Sequence, residues 1–222
     1  MFKKSLREML GGGQAGGTGQ PRRPAEHAQR NSRPSHGLDQ FFTAVRDTMG
    51  LSILDLGGAS QANVSFITSL GHRIYSEDFL RAMEQSFGGP DFYGNQANSD
   101  RVEAFLQQTL SFPDGHFDGA LVWDAFQFMS PALLNPVIDQ LMRILRPNAY
   151  LLAFFHADER ATAVPVYSYR IADAKTLELS PRGWREPAQF FNNRALERLF
   201  HNFQSVKFFL ARDHLREVIV KR

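Results

Sequence analysis

The apolar run Leu51–Leu56 carries Asp55 near its end and leads straight into Gly57-Gly58-Ala59-Ser60. An acid at a strand end can accept hydrogen bonds from loop amides or from a ligand ammonium. Glycines beside it let a ligand approach the backbone closely, and the following helix offers its N-terminal N–H groups to a polar group. Asp78 lies 23 residues after Asp55, behind the segment Gly71-His72-Arg73-Ile74-Tyr75-Ser76-Glu77. In a doubly wound sheet an acid near this offset bonds both hydroxyls of a ribose, and Glu77 is its reserve. The competing reading of Asp78 is an N-cap for the helix predicted to begin at Phe79.

Other chemistry is narrowed by what the chain lacks. It has no cysteine, so disulfides, thiolate metal sites and a thiol nucleophile are excluded. Its seven histidines show no metal-ligand spacing, and no metal site is expected. His156 follows an apolar strand at the rim where sheet enzymes place chemistry, and its ordinary pKa would suit a general base. A packed or surface histidine is the more common outcome. Trp123 reads as core. Tyr167 and Tyr169 either line a pocket or pack inside. Asp124 ends a buried strand and is placed facing the pocket.

These residues need a scaffold, and the periodicity supplies one. Helices are predicted over Leu38–Met49, Ser60–Leu70, Phe79–Ser86, Val102–Leu106 with Asp100 as a cap, Pro131–Leu145 and Gln189–Phe203. Strands are predicted over Leu51–Leu56, Arg73–Ser76, Phe117–Trp123, Ala149–Phe155, Ser205–Arg212 and Arg216–Lys221. Asp91–Ser99 reads as loop, and 157–187 resists assignment. Continuous apolar strands separated by helices imply an α/β, doubly wound, mostly parallel sheet covered on both faces, closed by an antiparallel C-terminal strand pair.

The charge is unevenly spread. Residues 1–37 hold seven Lys and Arg against two acidic residues, or +5, which leaves 18 basic and 21 acidic residues in 38–222, or −3. Residues 1–10 read as a short basic amphipathic segment with at most weak peripheral contact to a membrane. Residues 11–36, rich in Gly, Pro and Arg, read as a disordered linker, and 37–222 as the folded domain. No secretory leader or transmembrane run is seen, so the expected location is the cytoplasm. The folded part shows no basic stripe and gives no argument for nucleic acid.

Four segments together resemble the class I S-adenosylmethionine-dependent methyltransferases. Asp55, Gly57 and Ala59 match the opening of the family's acid-x-Gly-x-Gly-x-Gly motif, with Ala59 in place of the second glycine and Gln61 in place of the third. Gly71–Asp78 is similar to the second-strand segment. Leu110-Ser111-Phe112-Pro113-Asp114-Gly115-His116-Phe117-Asp118 resembles the run before the fourth strand, which ends at Trp123-Asp124. Arg143-Ile144-Leu145-Arg146-Pro147 resembles the turn before the fifth, with Asn148-Ala149 replacing two glycines. Where the family often has an acid after the third strand, this chain has Gln107-Gln108-Thr109.

The resemblance implies a seven-stranded type of sheet and S-adenosylmethionine as cofactor, held by Asp55, Gly57, Gly58, Ala59, Glu77, Asp78, Gln108, Thr109, Leu110 and Asp124. It implies methyl transfer to a small-molecule or protein acceptor, and it names no catalytic residue, because an activated methyl group needs little beyond alignment. The altered glycines motivate an alternative, a non-catalytic binding or assembly protein of the same fold, recruited through its basic head.

Overall fold

A computed structural model of the chain describes residues 31–211 and 213–222. The segment 1–10 and the part of the linker up to residue 30 lie outside the described residues. The linker's last residues do not match the expectation. Asn31–Pro34 is a strand, β1, and His36–Val45 is helix α1, so the domain reaches back at least to Asn31. The cause is a buried anchor. Glu217 accepts hydrogen bonds from Arg33 (2.6 Å), the Ser35 hydroxyl (2.9 Å) and the Gly37 amide (2.6 Å). Ser35 also caps α1 by accepting from the Leu38 amide.

The principal sheet has six strands. The next elements are β2 (Ser52–Asp55), α2 (Gln61–Ser69), β3 (Arg73–Ser76), α3 (Phe79–Phe87), α4 (Phe92–Asn95) and α5 (Ser99–Thr109). β4 (Phe117–Trp123), a 3₁₀ turn over Ala125–Phe128, α6 (Pro131–Ile144) and β5 (Leu145–His156) follow. β6 (Val164–Asp173), β7 (Thr176–Arg185), α7 (Asn193–Leu199), β8 (Ser205–Leu210) and β9 (Leu215–Lys221) complete the chain. The sheet order is β3-β2-β4-β5-β9-β8. Its first four strands are parallel, and β9 and β8 form the antiparallel closing pair.

Alternation along the strands shows that both faces are covered. On β5, Leu151, Ala153 and Phe155 pack with Phe79, Phe105 and Leu133 of α3, α5 and α6. Leu152 and Phe154 pack on the other face, with Leu38 and Phe41 of α1. β4 divides in the same way, Ala120 and Val122 against Leu121 and Trp123.

Further expectations are corrected between α3 and β4 and after β5. Among the described residues the sheet has six strands rather than seven, because helices α4 and α5 fill the stretch between α3 and β4 where the resemblance implies a third parallel strand. Val102, Phe105 and Thr109 are buried at helical spacing, and Asn98, not Asp100, caps α5 by accepting from the Arg101 amide. The unassigned stretch 157–187 forms the β6–β7 hairpin, which β1 joins in a second, antiparallel sheet, order β1-β7-β6. The last helix is shorter than its apolar pattern, since Asn192 caps it by accepting from the Ala195 amide.

Candidate functional site

The carboxyl ends of β2, β3 and β4 converge. Asp55 is wholly buried there. Its Oδ1 accepts from the Gly57 amide (3.0 Å) and the Trp123 indole Nε1–H (2.6 Å), and its Oδ2 accepts from Asn63 Nδ2 (2.9 Å). All three donors are neutral. Burial pushes the Asp55 carboxyl up, against the pull of those three hydrogen bonds.

Gly57 and Gly58 form the turn after β2. Gly58 has φ +87 and its amide donates to the Glu77 carbonyl at 3.0 Å, which ties the turn to the end of β3. Ala59 is exposed beside it. The space over Gly57 is already filled. A Cβ at that position would lie 2.6 Å from both Cδ1 and Nε1 of Trp123. Trp123 itself has φ +57, an unusual conformation for a bulky side chain that costs on the order of 1 kcal/mol and is held by its surroundings. Its indole stacks on Tyr169, with centroids 4.8 Å apart and planes 13° apart, and on Phe154 at 6.0 Å. The remaining cavity between Gly57, Asp78, Trp123, Asp124 and Tyr169 is about 10 Å³, room for no more than one water molecule.

Asp78 caps α3, accepting from the Arg81 amide at 3.1 Å, and its other oxygen is paired with Arg182 of β7 at 3.0 Å. Asp78 is therefore a helix cap and a residue of the site's rim at once. Asp124 is buried beneath the hairpin. It accepts from the Tyr167 amide (3.2 Å), and the Tyr169 ring lies beside it. Burial pushes its carboxyl up to about 7, and Arg182 is the weakest of the influences that pull it down.

Three of the remaining predicted residues lie on an adjoining cleft of about 170 Å³. Glu77, Gln108 and Thr109 line it together with Ser76, Tyr75 and Phe112. Thr109 spends its hydroxyl on the Phe105 carbonyl (2.7 Å), and Leu110 is buried with its carbonyl bonded to Gln140 (2.8 Å). The cleft is smaller than a full ligand pocket and suits one flat ring system. The predicted set is thus divided between an open cleft and a filled cradle.

His156 lines neither. It is buried, its amide donates to Gln127 Oε1 (2.9 Å), its ring stacks on Tyr167, and burial lowers its pKa. Sequence reasoning does not single out Asn63 or Arg182. Asn63 joins Asp55 to the hairpin by donating to the Tyr169 carbonyl (3.2 Å) and accepting from the Ile171 amide (2.8 Å). Only its place near the start of the helix after the glycines could have pointed to it.

No protein-family model matches the chain, and no curated protein matches it in sequence. Solved structures do resemble it. An S-adenosylmethionine-dependent methyltransferase from Archaeoglobus fulgidus superposes with TM-score 0.50 at 10% identity, covering 83% of this chain and 91% of that one. One from Methanosarcina mazei gives 0.46 at 18% identity, over 79% and 93%. The Burkholderia thailandensis 1,6-didemethyltoxoflavin-N1-methyltransferase gives 0.46 at 12% identity, over 84% and 76%. The likeness to the Archaeoglobus protein, with the strand order above, shows that this chain has the fold of S-adenosylmethionine-dependent methyltransferases.

Proposed function

We propose that this chain is an S-adenosylmethionine-dependent methyltransferase acting on a small-molecule or protein acceptor. The observation that carries the reading is a pair of buried carboxylates, Asp55 and Asp124, at the ends of β2 and β4. Neither forms an ion pair with a cationic side chain among the described residues. Burial without a counter-ion disfavours the charged form of both groups, so a ligand that brings positive charge supplies what the protein itself lacks. S-adenosylmethionine carries an ammonium and a sulfonium.

The fit is good at one end of the site and tight at the other. The cleft at Glu77, Gln108 and Thr109, with Leu110 buried behind it, would take the adenine, and Asp78 or Glu77 the ribose hydroxyls. Asp55 would take the ammonium, with Gly57, Gly58 and Ala59 offering backbone. At that end the indole of Trp123 already stands. When bound, the cofactor supplies an activated methyl group; the chain's residues orient it and keep water out.

Calorimetry with S-adenosylmethionine on the full chain tests this. We expect binding that Asp78→Ala abolishes and His156→Ala leaves intact. No heat at millimolar ligand would remove the proposal. The second reading, a non-catalytic binding or assembly protein, is favoured by one observation, the Trp123 indole packed against Gly57, and it predicts that silence.

A further inference from the structure

We infer that the Trp123 side chain is an internal occupant of the ligand cradle, bonded to the carboxylate that a cationic ligand must reach, and that ligand binding and indole packing compete for the same place. The inference rests on the methyltransferase reading for the identity of the ligand, though not for the observation itself.

Three features of the geometry converge on it. The indole lies 2.6 Å from where a Cβ on Gly57 would be, so the approach that a glycine turn leaves open is used by the chain's own ring. The indole N–H donates to Asp55 Oδ1 at 2.6 Å, the oxygen that also takes the Gly57 amide. The ring is held by stacking on Tyr169 and Phe154, so it fills the cradle as an aromatic ligand would.

The partner is also the weaker kind. An indole N–H is a neutral donor, whereas Asp55 is a buried acid with neutral donors only. An ammonium would bring that carboxylate a full opposite charge as well as a donor, and the indole brings the donor alone. A cationic ligand therefore has a reason to displace the ring, and an uncharged one has none. The open cleft beside Glu77 and Gln108 remains available in either state, because Trp123 does not line it.

Apparent affinity for S-adenosylmethionine is then reduced by the fraction of molecules whose cradle is vacated. Adenosine, which needs the cleft and the acids at its edge and not the Asp55 end of the cradle, escapes that reduction.

Calorimetry of the full chain with S-adenosylmethionine and with adenosine, on wild type and Trp123→Ala, reads the competition. We expect S-adenosylmethionine to bind Trp123→Ala at least about tenfold more tightly than wild type, with adenosine affinity unchanged. A wild type that is silent beside a Trp123→Ala protein that binds also supports the occupancy, and turns the function toward the non-catalytic reading. Wild-type binding that Trp123→Ala leaves equal or weaker overturns the occupancy and spares the methyltransferase reading. Binding by neither protein overturns both.

A second measurement does not depend on that variant folding. The chain has two tryptophans, and Trp184 is 72% exposed, so Trp184→Phe leaves Trp123 as the sole indole emitter. S-adenosylmethionine should shift its emission and adenosine should not. Binding measured by calorimetry without any emission change overturns the occupancy.

Discussion

Arg33 and Glu217, 184 positions apart, meet at 2.6 Å in the interior. Arg33 also reaches Asp213 at 3.0 Å and lies over the Phe154 ring. The contact ties the entry to the domain to its last strand. Gly37 belongs to the same joint, since a Cβ there would lie 2.6 Å from Leu152 Cδ1.

Removing one partner of a buried pair leaves the other charge uncompensated, at about 3–5 kcal/mol. Arg33→Ala is expected to lower unfolding stability by that amount in urea. Adding Glu217→Gln should recover part of it, because glutamine can still accept from Ser35 and Gly37. In the same assay a chain starting at Asn31 should match the full-length protein, while one starting at Leu38 should not. Equal stability of all these proteins would place the domain boundary back at the end of the linker.

Asp124 makes stability depend on pH. Its folded value of about 7 lies above the ordinary 3.8, so the folded state keeps a proton that the unfolded chain releases. The contribution is full below about pH 4 and is lost as pH rises through about 7, and a shift of that size corresponds to about 4 kcal/mol. Asp124→Asn keeps an acceptor for the Tyr167 amide and removes the titration. Its stability between about pH 5 and pH 8 should fall less than that of wild type, and at the upper end it should be the more stable protein. Parallel pH profiles for the two would show that Asp124 is ionised throughout.

Local chemistry is legible in the sequence, and contacts between distant segments are not. The cap role of Asp78 and the glycine turn after Asp55 depend on neighbours within a few positions, and the structure has both. The parallel strands β2, β4 and β5 can be read because they are buried on both faces. Arg33 sits in a basic, proline-containing stretch that resembles linker until its partner on β9 is known. Trp123 reads as core and is core, yet its bond to Asp55 spans 68 positions and no periodicity announces it. The β6–β7 hairpin escapes because its strands carry half-exposed positions and their buried side, Tyr169, Ile171, Leu177 and Leu179, belongs to the core beneath the main sheet, with Tyr169 on Trp123 and Phe154 and β6 against α2. The third parallel strand comes from the resemblance alone, whereas Val102, Phe105 and Thr109 already have helical spacing.

Asn63 is the joint between the carboxylate and the hairpin. Its side chain serves Asp55, the Tyr169 carbonyl and the Ile171 amide, all buried. Asn63→Ala removes that partner from the Tyr169 carbonyl and the Ile171 amide and takes one of three donors from Asp55, and a buried unsatisfied group costs about 1–3 kcal/mol. We expect a loss of at least about 2 kcal/mol in urea unfolding, with amide exchange at Ile171 accelerated more than at Leu152 in β5. Unchanged exchange at Ile171 would mean that the hairpin is held by its apolar packing alone.

The closeness of Gly57 to Trp123 predicts a coupling that stability measurements can read without any ligand. Gly57 does not have a positive φ, so alanine is compatible with its backbone, and the chief obstacle is the indole at 2.6 Å, with Asp55 Oδ1 next at 3.2 Å. Gly57→Ala should cost about 1–3 kcal/mol through overpacking in the wild-type protein. Trp123→Ala, which empties the facing space, is itself expensive at about 3–5 kcal/mol. Made in that background, Gly57→Ala should cost little, because the added methyl enters a cavity. The double-mutant cycle is therefore expected to show a favourable interaction energy of about 0.5–3 kcal/mol. Additive losses would mean that the indole does not rest on Gly57 in solution, and the cradle would then be open before any ligand arrives.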